Sequence, residues 1–113
     1  MRSTRDHRRH VRVDVPIDCS CQRLTTRQIR LFDISLGGAR AYSESAPSKD
    51  EILEIELLLP SKKRLKCLAK VIWVNRLPGE TEATKYEVGM QFIDLGGEDL
   101  VALAYQIKSI SLG

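Results

Sequence analysis

The chain has 113 residues, of which 18 are Lys or Arg and 15 are Asp or Glu, so its net charge is +3. This length fits one domain with one hydrophobic core, and a composition that is 42% hydrophobic and 29% charged excludes an intrinsically disordered chain. No apolar run approaches the roughly 18 to 20 residues that a membrane span requires. The start of the chain also lacks the apolar segment of a secretory signal, so we expect one cytoplasmic domain without a membrane span.

The positive charge is concentrated at the N-terminus. Residues 1–12 contain five arginines and one aspartate, a net charge of +4, so the rest of the chain carries −1. We therefore predict a flexible, arginine-rich arm over residues 1–12 in front of a nearly neutral body. Guanidinium groups bind phosphate oxygens in pairs and match the O6/N7 edge of guanine. The cluster of arginines in the arm therefore indicates an anionic partner. Charge alone is equally consistent with a basic tail that has no specific ligand.

Between residues 11 and 92, apolar and polar residues alternate in short runs, with the period of half-buried strands. The runs are separated by turn-forming residues, such as the adjacent Gly37 and Gly38. This pattern predicts six antiparallel strands, at residues 11–19, 27–34, 39–42, 52–59, 65–74 and 86–92. In the long strand 65–74, Val71 and Trp73 are expected to share a face.

Only the last stretch of the chain changes period. Apolar residues recur there at the three- and four-residue steps of an amphipathic helix, namely Leu100, Leu103, Ala104, Ile107 and Ile110. We therefore predict a mostly β protein, with a small antiparallel barrel over residues 13–95 and an α-helix over residues 96–113.

The residue patterns of most catalytic and metal sites are missing from this sequence. Neither histidine stands in the context of a strong nucleophile, and no glycine-rich phosphate loop joins a strand to a helix. Three cysteines, Cys19, Cys21 and Cys67, cannot all pair within one chain, and they lack the spacing of zinc ligands. We therefore expect free thiols, no metal, no cofactor and no enzymatic activity.

The corner Asp33-x-Ser35-x-x-Gly38 is a second candidate for ligand chemistry. A carboxylate accepts hydrogen bonds from guanine N1 and N2, a serine hydroxyl bonds a base edge or a phosphate, and a glycine lets backbone N–H groups approach a ligand. The structural alternative is a turn in which Asp33 and Ser35 satisfy nearby backbone donors.

Arg8-x-x-x-Arg12, followed about twenty residues later by Asp33-x-Ser35-x-x-Gly38, resembles the two-part signature of the bacterial PilZ domain family. Three further segments resemble strands of that family, namely residues 12–16, 69–74 and 86–92, the last with a glycine before an aromatic residue. The resemblance extends over essentially the whole chain. It implies a stand-alone, six-stranded PilZ-like β-barrel with a C-terminal α-helix.

The resemblance further implies that the chain binds a ligand, the bacterial second messenger cyclic di-GMP. Arg8 and Arg12 would clamp its phosphates and guanine edges, while Asp33, Ser35 and Gly38 would hold a guanine against the barrel. Further contacts are expected from residues beside these motifs or at matching strand positions, namely His7, Arg9, Gly37 and Trp73.

Two of these further residues leave alternatives open. Trp73 matches a strand position at which some family members place an aromatic side chain against the ligand, but its shared face with Val71 is equally consistent with the barrel core. In the family, the residue before the first arginine influences whether one or two ligand molecules bind. His7 stands there, and an imidazole that titrates at about pH 6.5 is consistent with either stoichiometry.

Ligand binding is expected to order the arm and to change a surface that an unidentified protein effector reads, for instance in motility, adhesion, biofilm or exopolysaccharide control. Two alternatives remain open: a PilZ-like adaptor that acts by protein contact without a ligand, and a small-barrel nucleic-acid-binding protein. The slightly acidic body and a total of six aromatic residues argue against nucleic acid as the partner.

Overall fold

A computed structural model describes residues 16–78 and 85–112. Within these ranges the chain forms, in order, β1 (Asp18–Ser20), β2 (Ile29–Arg30), β3 (Asp33–Ile34), β4 (Gly38–Ser43), β5 (Ile52–Leu58), β6 (Arg64–Leu77), β7 (Lys85–Phe92) and α1 (Gly97–Leu112). The arm predicted over residues 1–12, which contains His7, Arg8, Arg9 and Arg12, lies outside the described residues. The predicted fold class, mostly β with one C-terminal helix, is confirmed.

The seven strands belong to one antiparallel sheet with the order β2-β1-β5-β6-β7-β4-β3. β2 and β3 therefore lie at opposite edges, although only Leu31 and Phe32 separate them in the chain. Leu31 N donates to Ile17 O beside β1 (3.0 Å), and Phe32 N donates to Arg40 O on β4 (2.9 Å). The sheet is thus curled so strongly that two residues join its edges, which gives it the form of a small barrel.

The number of strands differs from the six predicted because residues 27–34 do not form one continuous strand. The backbone of Ile29–Arg30 pairs with β1, whereas that of Asp33–Ile34 pairs with β4. The sequence pattern shows an extended segment but does not identify its pairing partner, so it cannot reveal that the partner changes at Leu31.

The core lies inside the curled sheet and is covered by one face of α1. Alternate residues of β5 and β6 are buried there, namely Leu53, Ile55, Leu57, Leu65, Cys67, Ala69 and Val71. From α1, Leu103 and Ile107 belong to the same cluster, and Ile110 packs against it. Full burial of a leucine side chain contributes about 1.5–3 kcal/mol, so Leu103 is a main anchor of the helix on the barrel.

The first turn of α1 contains residues that favour the start of a helix. Gly97 has a positive φ of 58°, which glycine adopts without strain. Glu98 and Asp99 follow it, where carboxylates interact favourably with the N-terminal end of the helix dipole. In the parts of the chain that the structure describes, no helix is long and apolar enough to cross a membrane.

A β-bulge in β6 changes which residues face outward. Val71 pairs with Met90 on β7 and Trp73 pairs with Gly89, so Ile72 is an extra residue in β6. Val71 and Met90 are buried in the core, whereas the Trp73 ring lies on the outer face, over Gly89. The expectation that Trp73 shares a face with Val71 is therefore wrong, because the bulge interrupts the two-residue period.

Candidate functional site

The corner between β3 and β4 is a tight turn that Ser35 stabilises. Ser35 N donates to Gly38 O (2.8 Å), and Gly37 N donates to the hydroxyl oxygen of Ser35 (3.2 Å). Ser35 is only 2% exposed, so its hydroxyl belongs to the turn in this structure. Ser35 therefore satisfies a nearby backbone donor, as the structural alternative for this motif predicts.

Gly38 lets β4 approach β7 closely. A Cβ atom at this position would lie far closer than 3.0 Å to Met90 O, a separation that real side chains do not adopt. Beside it, Phe92 N donates to Gly37 O (2.9 Å) and continues the contact between the two segments. The barrel itself therefore requires the last glycine of the motif, independently of any ligand.

Asp33 and Arg40 face each other in register across the β3–β4 hairpin. Arg40 Nη2 and Nε lie 2.6 and 2.9 Å from Asp33 Oδ2, and Arg40 Nη1 lies 2.8 Å from Glu87 Oε2 on β7. The two carboxylate side chains are 9% and 17% exposed, whereas that of Arg40 is 40% exposed. The hydrogen bond to Asp33 raises the pKa of Arg40 above its usual value, so its guanidinium stays charged. We call these three residues the ion-pair cluster.

Trp73 lies across Gly89 on the outer face of the sheet. A Cβ atom on Gly89 would be 2.6 Å from both Nε1 and Cζ2 of the indole, so the ring occupies the space that a side chain there would fill. On its other side, Gly89 pairs with Arg40. One row across β6, β7, β4 and β3 thus contains Trp73, Gly89, Arg40 and Asp33 in that order.

These elements form a depression of about 370 Å³, here called the corner pocket. Its lining includes Ser35, Gly37, Gly38, Arg40, Trp73 and Gly89. The volume lies at the lower end of the roughly 300–1,000 Å³ that is typical of small-molecule sites. Among the lining residues that the structure describes, the side chain of Arg40 is the one that carries a charge.

The structure brings some of the predicted site residues together and leaves others apart. Four of them line the corner pocket, namely Ser35, Gly37, Gly38 and Trp73. Asp33 is not among the lining residues and is connected to the pocket through its ion pair with Arg40. The predicted contacts of the arm, His7, Arg8, Arg9 and Arg12, lie outside the described residues.

A larger depression of about 650 Å³, here called the acidic groove, lies between β1, β5 and β6. Its charged lining residues are Glu54, Glu56, Asp94 and Lys66, three carboxylates against one amine. This net negative charge opposes the binding of an anion. None of the predicted site residues that the structure describes lines the groove.

The three cysteines are buried free thiols. Burial raises the pKa of Cys19 to about 12 and that of Cys67 to about 11, and it also raises the pKa of Cys21. Because the thiolate is the form that binds metals, these residues are poor ligands. Residues 16–78 and 85–112 contain no group of three or more His, Cys, Asp or Glu side chains that could hold a metal ion.

Comparison with known families decides what kind of domain this is. The family model described as PilZ domain matches residues 4–108, nearly the whole chain. The chain belongs to the PilZ domain family. The resemblance identified in the sequence is thereby confirmed, and domains of this family are receptors and adaptors, not enzymes. No curated protein gives a significant match.

This PilZ domain shares its fold with solved structures at about one fifth sequence identity. The PilZ domain of YcgR from Escherichia coli, solved with c-di-GMP, is 20% identical with a TM-score of 0.69, and the match covers 93% of this chain and 92% of that one. For the longer YcgR chain in complex with c-di-GMP, the identity and TM-score are the same, but the match covers 46% of that chain. The MrkH–c-di-GMP complex of K. pneumonia is 20% identical with a TM-score of 0.64, over 94% of this chain and 51% of that one. The chain thus spans about half the length of YcgR and of MrkH.

Arg40 and Gly89 also line the corner pocket, but the sequence-based prediction of the site does not include them. A signal for Arg40 exists, because a hairpin that turns at residues 35–38 places residues 33 and 40 opposite each other, and their charges are complementary. Gly89 interrupts an alternating strand, which indicates close approach by another group. That group is Trp73, and the bulge that brings it there leaves no mark on the sequence pattern.

Proposed function

We propose that this PilZ domain is a receptor for cyclic di-GMP and that the corner pocket binds one of its guanines. Membership of the family supports this function, as do YcgR and MrkH, whose structures contain c-di-GMP. The corner pocket is the observation that supports it best, because glycines of the Asp33–Gly38 motif, an indole and a guanidinium line one depression. A base stacked on an aromatic ring contributes about 1–3 kcal/mol, and Trp73 on the outer face is available for such stacking.

In this proposal the N-terminal arm completes the site. Cyclic di-GMP carries two negative phosphates, whereas Arg40, the cation among the described residues that line the pocket, is already paired with Asp33 and Glu87. Compensation of the phosphate charge therefore falls to the arm, with its net charge of +4 over residues 1–12. Arg8 and Arg12 clamp the phosphates and a guanine edge, and the further arm contacts are His7 and Arg9.

Calorimetric titration of the full chain with cyclic di-GMP, and with GTP and cyclic di-AMP as controls, tests this function. We expect micromolar binding that prefers cyclic di-GMP, and a loss of about tenfold or more in Arg12→Ala and in Asp33→Ala. Arg30→Ala is a matched control, because Arg30 pairs with Asp18 across two strands but lines neither depression. Binding that is unchanged in both test variants would refute the site.

Salt dependence separates this function from nucleic-acid binding by the same arm. Affinity for a long nucleic acid falls steeply with added salt because each phosphate contact releases counterions. A pocket that holds one dinucleotide makes fewer phosphate contacts, so we expect a shallow salt dependence together with a preference for guanine.

We further propose that the liganded domain is read by a protein effector in the cytoplasm. The arm is ordered when cyclic di-GMP binds, and the surface of the barrel beside it changes accordingly. An effector of this kind binds the liganded domain more tightly than the free domain. An adaptor that works without a ligand would bind its partner equally in the presence and absence of cyclic di-GMP.

A further inference from the structure

We propose that Arg40 contacts the ligand directly and reads the O6/N7 edge of the bound guanine, and that Asp33 and Glu87 orient it. This inference rests on the proposed function, because it assigns base specificity within the same pocket. The Arg40 side chain is 40% exposed, and it is the charged side chain among the described residues that line the corner pocket. It therefore faces the space in which the ligand lies.

Two carboxylates hold the guanidinium from opposite sides. Nε and Nη2 lie 2.9 and 2.6 Å from Asp33 Oδ2, and Nη1 lies 2.8 Å from Glu87 Oε2. Asp33 is on β3 and Glu87 on β7, the two neighbours of β4, so Arg40 cannot swing away without breaking an ion pair. An arginine has five N–H donors in a planar fork. Three are directed at these carboxylates, and in the described part of the chain two remain for a ligand.

The two N–H groups of Arg40 that remain for a ligand suit the edge of a guanine base. Guanine O6 and N7 are neutral acceptors that lie side by side and pair with the fork of an arginine. Adenine presents an amino donor in place of O6, so the same two N–H groups discriminate against it.

The position of Trp73 is consistent with this contact. Trp73 and Arg40 flank Gly89 in one row across the sheet, on the strands either side of it. Neighbouring strands are about 4.8 Å apart. A base that lies against the indole above Gly89 therefore has an edge within reach of the Arg40 guanidinium, and stacking and edge recognition act on the same guanine.

A chemical double-mutant cycle on the full chain tests the role of Arg40. Dissociation constants of the wild type and of Arg40→Gln are measured by calorimetry, with cyclic di-GMP and with its 7-deazaguanine analogue, in which C–H replaces N7. We expect the analogue to bind the wild type about tenfold more weakly than cyclic di-GMP does. Arg40→Gln should bind the two ligands with nearly equal affinity. This variant lacks the guanidinium that donates to N7, so replacing N7 by C–H removes no further contact with Arg40. Arg30→Gln, the matched control, should keep the wild-type ratio.

The outcomes separate this inference from the receptor function. If the wild type binds both ligands equally, or if Arg40→Gln keeps the wild-type ratio, Arg40 does not read N7, while the domain is still a receptor. If the wild type binds no cyclic di-GMP, both the receptor function and the role of Arg40 are refuted.

Glu87→Gln provides a second variant in case Arg40→Gln does not fold, as judged by circular dichroism. It keeps the guanidinium and the ion pair with Asp33 but replaces the ion pair that holds Arg40 from the other side. We expect the ratio between the two ligands to fall by about threefold, since a loosened arginine loses part of its hydrogen-bond geometry. An unchanged ratio would refute the orienting role of Glu87.

Discussion

The corner pocket and the acidic groove lie on the same curled sheet and differ more in their lining than in their size. The groove has the larger volume, about 650 Å³ against 370 Å³, but it exposes three carboxylates and one amine. The pocket exposes the guanidinium of Arg40, the indole of Trp73 and the backbone of three glycines. For an anionic nucleotide, close access to backbone and cation matters more than volume.

The two depressions also depend differently on the fold. Glu54 and Glu56 of the groove occupy regular outward positions on β5, where a change of side chain leaves the backbone as it is. The pocket exists because β4 approaches β7 at Gly38 and because the bulge at Ile72 turns Trp73 outward over Gly89. Substitutions that disturb close packing should therefore alter the pocket and leave the groove intact.

Gly38→Ala has the largest expected effect, because the added methyl group must push β4 away from Met90 O. We expect the free energy of unfolding to fall by about 3 kcal/mol, as measured by urea denaturation. Gly96→Ala is the control, since nothing lies within 4 Å of a Cβ at that position, and it should change stability by less than about 0.5 kcal/mol. Equal stabilities of the two variants would show that close strand approach does not form the pocket.

Arg40→Gln should have the next largest effect on stability. It removes a cation that pairs with Asp33 and Glu87, two mostly buried carboxylates, so we expect a loss of about 1–2 kcal/mol. Arg30→Gln breaks a comparable cross-strand pair with Asp18, but that carboxylate is 25% exposed, so the loss should stay below about 1 kcal/mol. Urea denaturation of both variants measures the difference in their free energies of unfolding. Equal losses would mean that the burial of Asp33 does not increase the contribution of its ion pair to stability.

Gly89→Ala should displace the Trp73 ring at a cost of about 1 kcal/mol, because a side chain can move where a backbone cannot. Trp73 is the sole tryptophan of the chain, so its fluorescence reports directly on the pocket. We expect the emission maximum to shift to longer wavelength as the ring becomes more exposed. An unshifted spectrum would contradict the stacking of the ring on Gly89, and Gly96→Ala again serves as control.

The smallest effect is expected at the groove, where Cys21 and Cys67 line the depression but are buried. Alkylation requires the thiolate, and burial raises the pKa of Cys67 to about 11, so iodoacetamide at pH 8 should label the folded protein slowly. In urea all three cysteines should react rapidly. Rapid labelling of Cys67 in the folded protein would show that the groove is more open than the structure indicates.

The same raised pKa values predict how stability depends on pH. The unfolded thiols titrate at about 9, whereas the folded Cys19 titrates at about 12, so the folded state holds its protons more tightly. The contribution of these thiols is therefore complete below about pH 9 and is lost as the pH rises towards 12. Cys19→Ala should reduce this decline in urea denaturation measured between pH 8 and 10.

Much of the fold could be predicted because local patterns determine it. Alternation through Leu53, Ile55 and Leu57 indicates a strand, and the spacing of Leu103 and Ile107 indicates a helix. The bulge at Ile72 and the change of partner at Leu31 depend on which strands meet in the folded chain, so the pattern along the sequence does not contain them.

The site could be predicted in part for the same reason. Ser35, Gly37 and Gly38 follow one another closely in the chain, and their turn is a local structure. The position of Trp73 beside Arg40 results from the pairing of β6, β7 and β4, which is a tertiary property. The roles of the four arm residues, His7, Arg8, Arg9 and Arg12, stay predictions.

Joining the two edges of the sheet through Leu31 and Phe32 has a consequence for the behaviour of the protein in solution. An open sheet offers long unpaired edges, onto which a second molecule can add a strand and begin to aggregate. In the described part of this chain the strands at the edges, β2 and β3, are two residues long and run directly into each other. A second copy therefore finds almost no ladder to extend along these two edge strands, which disfavours pairing of two molecules at that edge.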